Sequence, residues 1–240
     1  MRLRHLVLLF IAFSAFQCTS QDAMPIIEPI TPEVPTTPPV EKYAYLALGD
    51  SYTIGHSVAE EDRFPVQLSN RLIAQGFEVE ETRIIAKTGW TTDELQNGID
   101  QATELRDTYQ LVSLLIGVNN QYRNRPVETY KPEFTELLNQ AIDFAGGRKE
   151  RVFVVSIPDY AFTPFGNGNP NISEGIDIYN AANKEITEAM GIAYFDITPI
   201  SRLGLQQQEL VASDGLHPSG EQYRRWVELM LPGVVEKLGN

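Results

Sequence analysis

From residue 43 onward the chain alternates between short apolar runs and longer amphipathic stretches. The runs Tyr43–Leu48, Val79–Ala86, Leu111–Ile116, Arg151–Ile157 and Ile192–Phe195 read as strands. Helical periodicity falls between them at about 64–75, 92–105, 130–145 and 175–190, with a last helix at about 220–238. Strands apolar on both faces cannot show a face to water, so they belong in a parallel sheet covered by helices on both sides. Thr91 with Glu94, and Ser219 with Gln222, have capping-box spacing at two of the helix starts. The expected fold is α/β, a three-layer α/β/α sandwich with a central parallel sheet of about five strands. Such sheets bind ligands in the crevice outside the carboxyl ends of their strands. The residues just after each strand therefore carry the functional information.

The segment before residue 43 reads differently. Arg2 and Arg4 precede an apolar run from Leu6 to Phe16, which is the grammar of a signal peptide and too short for a membrane-spanning helix. Residues 1–17 are thus expected to be removed, and the end of the segment resembles a bacterial lipoprotein signal with Cys18 as the lipidated first residue. The alternative is an ordinary secretory signal; either way the protein is exported. Residues 18–42 carry Pro25, Pro29, Pro32, Pro35, Pro38 and Pro39 among Thr and Glu, a composition suited to a semi-rigid spacer. Residues 43–240 then form one domain, tied to a membrane only through the lipid.

Charge and side-chain scarcity narrow the chemistry. The 32 acidic against 19 basic side chains give a formal net charge of -13, and loss of Arg2 and Arg4 takes it to -15. That excess repels nucleic acid and anionic lipid surfaces and disfavours a strongly anionic substrate. The single cysteine permits neither an internal disulfide nor a cysteine-based zinc cluster. Of three histidines, only His56 and His217 remain beyond the leader.

The strand ends read Gly49-Asp50-Ser51-Tyr52, then Lys87-Thr88-Gly89-Trp90, then Gly117-Val118-Asn119-Asn120. Asp214-Gly215-Leu216-His217 precedes the last helix. These four blocks, in this order, resemble the SGNH (GDSL) hydrolase family of serine esterases and lipases, with its flavodoxin-like sheet. The resemblance implies a catalytic triad of Ser51 as nucleophile, His217 as base and Asp214 as orienting acid. It also implies an oxyanion hole of the Ser51 and Gly89 backbone N–H groups and the Asn119 side-chain amide. The chemistry agrees with it. A serine hydroxyl needs a base, the base works best with its tautomer fixed by a carboxylate, and the developing oxyanion needs donors. Glycine at 89 would let backbone approach substrate closely. Asn120 departs from the family, where Asp is frequent at that position; the change is expected to touch loop support rather than the oxyanion donors.

Several residues have competing readings. Gly55-His56-Ser57-Val58-Ala59 imitates a nucleophile elbow, which would make Ser57 the nucleophile, but an elbow should end a strand directly and Ser57 lies well past Leu48. His56 reads as a plain loop residue. Asp50 is expected to bond backbone around its turn. Asp214 and His217 could pair on a metal, but no further histidine is evident as a third ligand, so no metal and no cofactor are expected. Tyr52, Trp90 and Tyr122 flank the blocks, and Tyr160, Phe162 and Phe165 lie on the loop after the fourth strand. All six are candidates to line a cleft, since aromatic rings suit an acyl chain or a sugar face. Arg123 and Arg125 read as solvated side chains on a polar loop.

The expectation is an exported serine esterase acting through an acyl-enzyme on a small-molecule or carbohydrate ester, with carbohydrate O-acetyl groups favoured. The alternatives are a lipase or lysophospholipase acting on fatty-acyl esters, and a non-catalytic surface lipoprotein that binds carbohydrate.

Overall fold

The computed structural model describes residues 41–239; the expected leader, Cys18 and nearly all of the proline-rich spacer lie outside them. Five strands form one all-parallel sheet: β1 (Lys42–Gly49), β2 (Glu78–Ala86), β3 (Leu111–Leu115), β4 (Val152–Val155) and β5 (Ala193–Phe195). Their order is β2-β1-β3-β4-β5. Every residue of β3 and β4 is buried, as both-faces-covered strands must be. β2, at an edge, is only partly buried and carries Glu78, Glu80 and Glu81, charges that discourage pairing with another chain.

The main helices are α2 (Phe64–Ala74), α3 (Thr92–Asp100), α5 (Val127–Phe144), α6 (Pro170–Ala189) and α8 (Gly220–Leu238). α2 and α8 pack through Phe64, Tyr223 and Trp226, with the last two rings 4.9 Å apart. α5 packs on α3 and on α6, where the Tyr130 and Tyr179 rings stand 4.7 Å apart. The Thr91–Glu94 capping box is present, Glu94 accepting from Thr91 N at 2.9 Å. At Ser219 only half of the expected box forms: Ser219 Oγ accepts from Gln222 N at 3.2 Å, while the Ser219 N–H and the Gln222 amide both donate to the Leu210 carbonyl.

The differences from the sequence reading lie at element ends. α3 stops at Asp100 rather than running to 105, since Glu104 takes a left-handed φ of 59° that a helix cannot continue through. Arg151 belongs to a tight turn before β4 rather than to the strand. Three short helices escaped periodicity because four or five residues are too few to show it: α1 (Ser51–Ile54), α4 (Val118–Tyr122) and α7 (Thr198–Ser201). Two of these matter most, for α1 and α4 follow β1 and β3 directly.

In this strand order the chain leaves β1 toward β2 on one side and returns to β3 on the other. The carboxyl ends of β1 and β3 therefore border the crevice of the switch point. Gly49 ends β1 opposite Leu115 of β3. A Cβ there would collide with the Leu115 carbonyl oxygen and the Thr53 side chain, so only glycine lets the strand end, α1 and β3 come this close. Asp50 then caps α1, its Oδ1 accepting from Tyr52 N at 3.0 Å.

That cap is costly. Asp50 is fully buried, its Oδ2 has no hydrogen-bond partner, and burial pushes its carboxyl up to about 7 against the pull of backbone N–H groups. A carboxyl raised in the folded state favours folding at low pH, and the benefit is lost as pH rises through 7. Asp50→Asn keeps the cap acceptor and removes the buried charge. It should match the wild type in urea unfolding at pH 4 and be more stable at pH 8 by about 2–4 kcal/mol. Equal stability at pH 8 would show that the charge is not costly.

Candidate active site

Four chain segments meet outside the carboxyl edge of the sheet. Ser51 opens α1, which makes its N–H one of the helix's orphan donors, and its side chain is buried. The turn after β2 brings Thr88 and Gly89 alongside; Gly89 holds φ at 89°, a conformation that side-chain-bearing residues rarely adopt. Asn119 lies in α4 after β3. Leu216 and His217 come from the loop before α8. Together with Tyr52, Val118, Tyr122, Tyr160 and Phe165, these residues line a cleft of about 240 Å³.

His217 Nδ1 lies 2.6 Å from Asp214 Oδ2; a carboxylate only accepts, so the ring N–H donates and Nε2 is left with its lone pair. Asp214 Oδ1 accepts from the backbone N–H groups of Leu216 and His217 at 2.9 and 3.0 Å. The three-residue spacing thus lets one loop hold both the acid and the ring. Ser57 adds a fourth donor, its Oγ 2.6 Å from Asp214 Oδ2. Partial burial would raise the Asp214 carboxyl, but these donors, Ser57 foremost, hold it well below the usual carboxylate range. For His217 burial wins. It pushes the imidazole below its ordinary value despite the Asp214 partner, and nearby His56 pushes the same way.

The side of the cleft formed by Gly89 and Asn119 is propped from behind. Asn119 Nδ2 donates to the Trp90 carbonyl at 2.9 Å, which fixes the amide and leaves its second hydrogen available. Arg123 donates to the Gly89 carbonyl at 2.7 Å and pairs with Glu94, so the turn bearing Gly89 is clamped to α3 and α4. Asn120 is buried; its amide donates to Thr92 Oγ1 at 2.7 Å, and its carbonyl oxygen accepts from Thr92 N at 3.1 Å. An aspartate could not make the donating half of that pair, so Asn120 does support the loop. Tyr122, Tyr160 and Phe165 form one wall, with ring centroids 6.2 to 6.4 Å apart. Phe165 N donates to the Gly215 carbonyl, tying that wall to the Asp214 loop.

Of the residues singled out in the sequence, Ser51, Gly89, Asn119 and His217 share the cleft, together with Tyr52, Tyr122, Tyr160 and Phe165. Trp90 and Phe162 do not line it. Trp90 packs against the core with its ring over Gly98 of α3, and Phe162 lies in the half-buried turn at 160–162. Arg123 and Arg125 are paired rather than simply solvated, the latter with Asp93 at 2.5 Å. Ser57 bonds Asp214 rather than standing as an elbow at a strand end. His56 is no plain loop residue: its ring centroid lies 4.5 Å from that of His217, and its Nδ1 is 3.0 Å from Thr88 Oγ1. None of the partnerships of Arg123, Arg125, Ser57 and His56 has a sequence signal, because the partners are 29 to 161 residues away.

No curated protein is similar enough in sequence to be counted as a relative. Among solved structures, a family 3 carbohydrate esterase from Clostridium thermocellum aligns with a TM-score of 0.65 at 18% identity, over 83% of this chain and 98% of that one. A lipase/acylhydrolase from Enterococcus faecalis aligns at 0.61 and 22% identity, over 82% and 96%. The acetylxylan esterase Axe2 from Geobacillus stearothermophilus aligns at 0.59 and 16% identity, over 82% and 94%. These likenesses establish the fold. The family is established by the sequence itself, for the GDSL-like lipase/acylhydrolase family matches residues 47–225, from within β1 into α8. The chain is therefore a member of the GDSL-like lipase/acylhydrolase family, an ester-hydrolysing serine hydrolase.

Proposed function

We propose that the protein hydrolyses short-chain carboxylic esters, O-acetyl groups on carbohydrate foremost, through an acyl-enzyme on Ser51. The observation that carries this reading is the 2.6 Å His217–Asp214 bond beside a cleft that also holds Ser51. Ser51 Oγ bonds to the ester carbonyl carbon while His217 Nε2 takes its proton. The carbonyl oxygen becomes an oxyanion facing the N–H groups of Ser51 and Gly89 and the Asn119 amide. Collapse of that intermediate breaks the bond to the alcohol, which leaves with the proton from His217. Water then attacks the acyl carbon, His217 again takes the proton, and Ser51 is regenerated as the acid departs. No cofactor is needed for these steps.

Cleft size favours a short acyl group. About 240 Å³ falls below the usual range for sites that enclose drug-sized ligands. The exposed rings of Tyr122 and Phe165 at the rim suit the flat face of a sugar. The carbohydrate esterases among the structural neighbours agree with this choice. The same apolar rim favours a second reading, an acyl hydrolase that lays a longer chain across Tyr122 and Phe165. Export, and lipid attachment at Cys18, are inferred from residues 1–18 alone.

Comparing rates on nitrophenyl esters of rising chain length should show fastest turnover for acetate or propionate, with none in Ser51→Ala. Faster turnover of a ten-carbon or longer acyl group would replace the first reading with the second. Ser57→Ala removes a charge-assisted donor from Asp214 without touching substrate. Its kcat should fall roughly tenfold, equivalent to about 1.4 kcal/mol, with KM little changed. An unchanged kcat would mean that the backbone donors suffice to hold Asp214.

A further inference from the structure

The hydrolytic steps use one imidazole, yet two stand at the triad. His56 and Asp214 are exposed and His217 is buried, and one ligand atom from each lies within 4.8 Å of the other two. Among the described residues this is the one group of three or more His, Cys, Asp or Glu side chains so placed. Two imidazole nitrogens and a carboxylate are the donor set of a zinc-type ion rather than of calcium or magnesium, which take oxygen ligands. The fit needs modest movement. Ligand atoms around tetrahedral zinc sit about 3.4 Å apart, so separations of up to 4.8 Å close by at most about 1.4 Å, and the 2.6 Å His217–Asp214 pair opens by about 0.8 Å. His56 can supply that by rotating, because its side chain is exposed and anchored on one side by Thr88 Oγ1.

We propose that His56, Asp214 and His217 form a reversible site for a zinc-type divalent cation, and that occupation of it switches the hydrolase off. The inhibitory half rests on the triad reading above. A cation shared with Asp214 sits on His217 Nδ1, the ring nitrogen that faces that carboxylate, and displaces the Nδ1–H bond to it. The remaining ring proton of the neutral imidazole is then on Nε2, which has no lone pair to accept the Ser51 proton, so His217 cannot act as the base. His56 is the residue that distinguishes this site from a plain Asp–His pair, which binds such ions far more weakly.

The test uses the tag-free full chain, with zinc chloride alone as the probe. Calorimetric titration of the wild type and of Ser51→Ala should give the same saturable one-to-one binding. His56→Gln should bind at least about tenfold more weakly. Hydrolysis of nitrophenyl acetate by the wild type should fall along the same binding curve, recover on adding EDTA, and shift to higher zinc by the same factor in His56→Gln. Each rate is read against the same variant without zinc. Unchanged affinity in His56→Gln would overturn the site, and binding without loss of rate, or with a gain, would overturn the switch. If the wild type hydrolyses no ester at all, the functional reading fails, while calorimetry on Ser51→Ala and His56→Gln still decides the metal site.

Discussion

The Asp214 carboxylate collects four hydrogen bonds from two segments 157 residues apart in the chain. Three come from its own loop and one from Ser57, just past the first helix. Through them a single charge fixes the tautomer of His217, sets the loop before α8, and joins that loop to the segment that begins with Ser51. Charge-assisted bonds of this kind are about twice as strong as neutral ones. Without this anchor, the buried imidazole of His217 would be free to take either tautomer.

The sheet makes that meeting possible, and it does so at a cost. Parallel order β2-β1-β3-β4-β5 brings the ends of β1, β2 and β3 to one edge, and a bare backbone at Gly49 lets α1 start against β3. The same closeness buries Asp50 with one oxygen unpartnered. On the far side of the cleft Gly89 and Asn119, the proposed oxyanion donors, are held by polar contacts: Arg123 to Gly89, Asn119 to Trp90, and Asn120 to Thr92. Ser51 thus adjoins the buried, half-partnered Asp50, while Gly89, Asn119 and Asn120 sit among these polar contacts. Preorganised donors stabilise a transition state more than donors that must reorient.

Much of this was legible in the sequence. The inner strands β1, β3 and β4 were readable as unbroken apolar runs because they are buried on both faces. The partly buried edge strands β2 and β5 left only short apolar stretches to mark them. The order of the four blocks gave the family and the residues that share the cleft. What escaped was local or long-range. α1 and α4 are too short to show a helical period, although they aim Ser51 and Asn119. Ser57 and His56 looked like a failed elbow and a loop histidine, since nothing in the sequence places residue 56 against residue 217. Trp90 looked like a cleft residue because it adjoins Gly89, yet its ring turns inward onto Gly98, and only the packing of α3 decides that direction.

Ser51, not Ser57, is the serine proposed to be activated in this cleft. Reaction of the folded protein with a fluorophosphonate probe, followed by mapping of the modified peptide by mass spectrometry, addresses it directly, since such probes react with activated serines. Stoichiometric modification is predicted on Ser51 and none on Ser57, whose hydroxyl is engaged in a hydrogen bond to Asp214. Modification on Ser57, or a folded protein that takes up no probe, would contradict it.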